Sequence, residues 1–138
     1  MRELIINRLK KQIAARASAK YEKNLDVSVD TEMPMLNNKC QFNSINAVKH
    51  KNAAAVIECV VIGGDDCTAH YINLMSDGRI IDYTLGWAWS GGDYRFIRYV
   101  PDSEYENIND SLGKLKQSLC GELPWCCKLL RINKWDLC

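Results

Sequence analysis

The chain carries almost no net charge: 18 Lys and Arg stand against 17 Asp and Glu in 138 residues. That balance removes the usual electrostatic argument for a nucleic-acid partner or an acidic surface. Long hydrophobic runs are missing as well. The longest candidate, Ala53 to Ile62, is interrupted by Glu58 and falls short of the roughly twenty residues that cross a bilayer, so no membrane partner is expected. No signal-type apolar stretch follows Met1, and no internal repeat or low-complexity tract occurs. Histidine is scarce, with only His50 and His70. Adjacent Cys126 and Cys127 lack the two-residue gap of zinc knuckles, so neither a metal nor a cofactor is expected.

Cysteine, by contrast, is abundant. The count of seven is odd, and the cysteines lie in apolar stretches. This pattern fits reduced thiols in a cytoplasmic protein better than a disulfide framework. For Cys59, Cys67, Cys120, Cys126 and Cys127 the apolar neighbours point to core packing. Cys40 differs, because Asn37, Asn38, Lys39, Gln41 and Asn43 surround it with polar groups.

The length suits one domain, 1–138. Residues 1–23 form an amphipathic helix by pattern, with Leu4, Ile5, Leu9, Ile13 and Ala14 as its apolar face and Arg8, Lys10, Lys11 and Arg16 as a solvated one. A connection through Pro34 leads to a second helical pattern from Cys40 to Lys51, in which Phe42, Ile45, Ala47 and Val48 face the core and Asn43, Asn46, Lys49 and His50 face outward. Strand character follows at 54–62, 67–75, 79–85 and 94–100, with turns at Gly63-Gly64-Asp65-Asp66 and Ser76-Asp77-Gly78. Residues 103–120 read as a helix, and 129–137 as a short element of either type. The expected class is α+β: a helix carrying Cys40 at its N-terminus packed on a small antiparallel sheet, with 37–100 as the catalytic core.

Cys40, His70 and Asp82 are the candidate catalytic residues. A thiol becomes a strong nucleophile when a base takes its proton, and the base works best when a third group orients it. Cys40 lies where a helix begins, and the positive end of the helix dipole favours thiolate. Pairing about the Ser76-Asp77-Gly78 turn sets residues whose numbers sum to about 154 opposite one another. His70 then faces the neighbourhood of Thr84, with Asp82 two residues away on the same face.

A polar, Asn-flanked Cys opening a helix, a His followed by an aromatic on a strand, and a strand carrying Ile-Asp-x-Thr together resemble the transglutaminase-like and papain-like cysteine hydrolases. The resemblance covers about Asn37 to Gly86. It departs from the common pattern at Tyr71 and Ile72 after the histidine, and at Tyr83 where proline is common. Small single-domain versions occur in tailed phages and bacteria, and a phage-encoded protein would act in the host cytoplasm.

The resemblance implies acyl transfer on an amide, peptide or isopeptide bond of a protein or peptide substrate. Cys40 attacks, His70 carries the proton and Asp82 fixes the imidazole. The oxyanion would be held by the Cys40 amide with the side chain of Asn38, or of Asn37 or Gln41, although asparagines before a helix also serve as caps. Trp87 and Trp89, in the loop 86–93, either border a substrate groove or plug the sheet. The competing reading is an inactive member of the same fold that binds a partner as an inhibitor or adaptor. Another makes the N-terminal helix an oligomerisation element, and the oligomeric state stays open.

Overall fold

A strand buried on both faces has to be apolar on both, and the run from Val56 to Val61 has that composition apart from Glu58. The computed structural model, which describes residues 1–22, 24–29, 39–85 and 91–138, builds the domain around this run. In chain order the elements are α1 (Arg2–Lys20), β1 (Ser28–Val29), α2 (Cys40–His50), β2 (Ala53–Gly63), β3 (Asp66–Met75), β4 (Ile80–Asp82) and β5 (Asp93–Val100). A 3-10 turn (Asp102–Asn107) then leads into α3 (Ile108–Cys120), followed by the short helices α4 (Trp125–Leu129) and α5 (Lys134–Leu137). The architecture is α+β, with the sheet ordered β1-β4-β3-β2-β5. All its pairings are antiparallel except the two-residue parallel contact of β1 with β4.

The turns follow from their glycines. Gly63 pairs with Asp66, so Gly64 opens a two-residue hairpin turn, and its φ of 61° is one that side chains rarely adopt. Gly78, at φ 88°, closes the turn between β3 and β4. The observed pairs Asn73–Ile81 and Leu74–Ile80 match the register expected from that turn.

Val56, Val60, Ala69 and Tyr71 on one face of the sheet share a core with the buried residues of α1, α2 and α3. The α3 stripe is Ile108, Leu112, Leu115 and Leu119, at helical spacing. On the other face Ile57, Cys59, Val61, Ile72 and Tyr94 are covered in part by Leu25 and Val27.

Three expectations need correction. Leu4 does not join the buried face of α1, which consists of Ile6, Ile13, Ala14 and Ala17; Leu4 is exposed. In α2 the pattern is reversed at the first turn: Phe42 is exposed while Gln41, Asn43 and Ser44 are buried. That turn lies over polar groups, so hydrogen-bonding capacity decides its inward face. Finally, the strand expected over 79–85 stops at Asp82, after which the chain bends.

Candidate active site

The early end of β4 creates the site. Amides two residues apart on a strand point to the same edge. The Met75 amide donates to the Arg79 carbonyl on the β4 side, so the amides of Asn73 and Tyr71 face that side too. Among the described residues the strand ends at Asp82, short of the Tyr71 N–H, and that amide is one of the groups that lower the Cys40 thiol. Cys40 is therefore seated at an open sheet edge, in the first turn of α2, where backbone amides have no partner within the helix.

Two buried asparagines fix α2 in that position. Asn73 donates from Nδ2 to the Ser44 carbonyl at 2.9 Å and to the Ala55 carbonyl at 3.2 Å, tying the helix to the sheet. Asn43 donates to Thr84 Oγ1 at 2.9 Å, tying the helix to the bend after Asp82. The second bond links the thiol and the carboxylate through one rigid path.

His70 and Asp82 meet as the register implied. His70 Nε2 lies 2.9 Å from Asp82 Oδ2, and both side chains are buried. The imidazole also acts on Cys40, lowering its thiol through charge and hydrogen bonding, and the two residues line one cleft. Asp82 is held on every side. Its Oδ1 accepts the Thr84 amide at 2.8 Å and the Leu85 amide at 3.1 Å, the local turn that Asp favours, and its Oδ2 also accepts the Tyr94 hydroxyl at 2.6 Å.

The electrostatics follow from this packing. Burial pushes the Cys40 thiol up from its ordinary 9.0, but the charge and hydrogen bond of His70 and the Tyr71 amide together bring it below that value. Burial would lower His70, yet the Cys40 charge and the hydrogen bond and charge of Asp82 outweigh it and hold the imidazole at about 10. Asp82 stays below the usual carboxylate value because the bonds from His70, Tyr94 and Thr84 overcome its burial. A thiol lowered by a neighbouring imidazole, with a carboxylate orienting that imidazole, has the makings of a nucleophile with its proton carrier in place.

Cys40 is only 7% exposed, and solvent reaches it through a cleft of about 400 Å³ whose walls include His70, Thr84, Leu85, Leu112, Lys116 and Trp135. A somewhat larger hollow of about 500 Å³ lies around Glu58, Arg98 and Glu104, where Arg98 is paired with both carboxylates. The candidate site is therefore the cleft over Cys40.

The structure thus brings together Cys40, His70 and Asp82. The proposed oxyanion residue Asn38, its alternative Asn37, and the groove candidates Trp87 and Trp89 lie outside the described residues. Gln41 is buried beside the sulfur, where its Oε1 accepts the Cys40 thiol at 3.7 Å and its Nε2 donates to Asn109 Oδ1 at 2.9 Å. Sequence reasoning missed Tyr94, Lys116 and Trp135, because nothing in their local patterns distinguishes them from core or surface residues.

The cysteines also divide differently from the expectation. Cys59, Cys67, Cys120 and Cys127 are buried, whereas Cys126 is half-exposed. Cys120 is not simply a core thiol. Its sulfur lies 3.1 Å from that of Cys138, and the hydrogen bond from Cys138 lowers its pKa against the effect of burial. Among the described residues no group of His, Cys, Asp and Glu is arranged to hold a metal, and no helix is long and apolar enough to cross a membrane. No family model, curated protein or solved structure matches the chain.

Proposed function

We propose that this protein is a cysteine-dependent hydrolase or acyltransferase acting on an amide, peptide or isopeptide bond. The observation that carries this reading is the grouping of Cys40 and His70 in one cleft, with His70 Nε2 held 2.9 Å from Asp82 Oδ2 and the imidazole lowering the Cys40 thiol. The order of the three residues and their seats on helix and strands agree with the resemblance to transglutaminase-like and papain-like enzymes.

In the proposed cycle the Cys40 thiolate adds to the carbonyl carbon, and the electron pair of the C=O bond moves to oxygen. The Cys40 amide, in the uncapped first turn of α2, is positioned to receive that oxyanion. As the tetrahedral species collapses, the carbon–nitrogen bond breaks, the His70 imidazolium gives its proton to the departing amine, and a thioester remains on Cys40. Water or an acceptor amine then attacks the thioester while neutral His70 takes its proton, and Cys40 leaves as thiolate. Asp82 keeps the imidazole oriented throughout.

The test is the pH dependence of iodoacetamide alkylation at each cysteine, read by peptide mass spectrometry in wild type and His70→Ala. Wild-type Cys40 should alkylate with an inflection below the ordinary 9.0, because His70 outweighs burial. In His70→Ala the lowering interactions with the imidazole are gone and burial remains, so the inflection should rise above that value. Cys120, lowered by Cys138 and not by His70, should keep its profile and serves as the internal control. A Cys40 that alkylates no faster than the deeply buried Cys59, or whose profile ignores His70→Ala, would overturn the reading and favour a binding role for the fold.

A further inference from the structure

We propose that Lys116 forms an anion subsite in the cleft, seating a substrate carboxylate next to the carbonyl that Cys40 attacks. The inference deepens the enzymatic reading above and rests on it for the role of Cys40.

Lys116 comes from the inward face of α3, one helical turn after Leu112 and one before Cys120, so its stem packs with the core while its head reaches the cleft wall. Only 9% of the residue is exposed, an unusual degree of burial for lysine. Its polar surroundings do not match that burial. The ammonium lies 5.2 Å from the centroid of the Trp135 ring. Among the described residues it has no ion pair and no hydrogen bond; the groups nearest in charge are the thiols of Cys138, Cys40, Cys120 and Cys67.

A buried cation normally has a carboxylate partner. An aromatic face is a weaker partner for it than a carboxylate. Burial accordingly lowers the Lys116 pKa. The neighbouring Lys134 offers a contrast: it donates to the Gly113 carbonyl at 3.1 Å, so its ammonium is already engaged.

The missing partner has a natural source in the substrate. An anion entering the cleft would meet Lys116 on the α3 side and the Cys40–His70 pair on the sheet side, with Trp135 as an apolar wall. A carboxylate suits this arrangement because it accepts ammonium hydrogens and leaves the attached chain to lie along Trp135 and Leu112. The expected substrates are therefore amides that carry a carboxylate close to the scissile bond, either on an acidic side chain or at a chain end.

Two measurements on the full-length protein test this. The first compares alkylation of Cys40 by iodoacetate and by iodoacetamide, which deliver the same carbon with and without a negative charge. The rate ratio of iodoacetate to iodoacetamide should fall about tenfold in Lys116→Met, equivalent to about 1.4 kcal/mol, recover in Lys116→Arg, and hold in Lys134→Met. The residual preference in Lys116→Met reports the attraction of His70.

The second measurement follows the Trp135 indole resonance by NMR during titration with N-acetylglutamate α-amide, N-acetylglycine, and the neutral N-acetylglutamine α-amide. Saturation by a carboxylate but not by the neutral ligand, lost in Lys116→Met, supports the subsite, and the tighter carboxylate identifies a side chain or a chain end as its source. An unchanged rate ratio in Lys116→Met, or equal indole shifts with charged and neutral ligands, overturns it. The two readings fail separately. A carboxylate that binds at Trp135 while Cys40 reactivity ignores His70→Ala keeps the subsite and removes the enzyme.

Discussion

At the scale of single residues, Asp82 and Tyr94 differ in what they contribute. His70 is raised first by the Cys40 charge and then by the hydrogen bond and charge of Asp82, so Asp82→Asn should move the His70 titration down from about 10 in the direction of the ordinary 6.5. The direct readout is the imidazole carbon-bound proton followed by NMR against pH. The sign matters for stability as well. A histidine raised in the folded state contributes stability that is complete below about 6.5 and disappears as pH rises through about 10, whereas Asp82, lowered in the folded state, contributes above its ordinary 3.8 and loses that as pH falls, so Asp82→Asn should cost most stability between about pH 4 and 6.5 and less in stronger acid and in alkali. Tyr94→Phe removes one donor from the carboxylate but leaves the Thr84 and Leu85 amides and the His70 bond. It should lower unfolding free energy by about 1.5 to 3 kcal/mol, the range for a hydrogen bond to a charged group, while shifting His70 much less than Asp82→Asn does. Equal His70 shifts in the two variants would contradict this division.

At the scale of elements, α1 behaves as part of the core. Ile13 is 1% exposed and shares a cluster with Ala69, Tyr71, Leu115 and Leu119, so the helix covers the same sheet face that carries α2 and α3. Its alanines, Ala14 and Ala17, bring the helix close to its neighbours. Ile13→Ala should cost about 2 to 5 kcal/mol of unfolding free energy in urea titration. A loss below about 1 kcal/mol would mark α1 as a separable appendage, as the oligomerisation reading requires. The reversed first turn of α2 makes a related point. Helical periodicity places Phe42 inward, but Asn43 turns inward to bond the buried Thr84, and Phe42 is left in solvent.

At the scale of the whole molecule, stability should grade outward from the middle of the sheet. β2 is bonded along most of its length on both sides, to β3 and β5, and Val56, Cys59, Val60 and Val61 are wholly buried. β1 and β4 are joined to the rest by a few pairs at one edge. Hydrogen exchange should therefore be slowest in β2 and its partners in β3, and fastest in β1 and the short α4. Equally slow exchange in β1 would contradict the gradient. Cys40 lies at the weaker end of this gradient, beside the sheet edge where β4 ends.

Local patterning in the sequence marked most of the elements, though not β1 or α4, and one strand pairing. Apolar patterning marked β2, β3, β5 and α3, and the Ser76-Asp77-Gly78 turn set the β3–β4 register, which put His70 and Asp82 on one face. These features were legible because period and turn chemistry act over a few residues. Tertiary structure decided the rest: where β4 stops, short of the Tyr71 amide that helps lower the Cys40 thiol, and which distant side chains close the site. Tyr94 reaches Asp82 from β5, while Lys116 and Trp135 arrive from α3 and α5. Their roles come from proximity across the fold, and local periodicity carries no record of which distant residues will be neighbours.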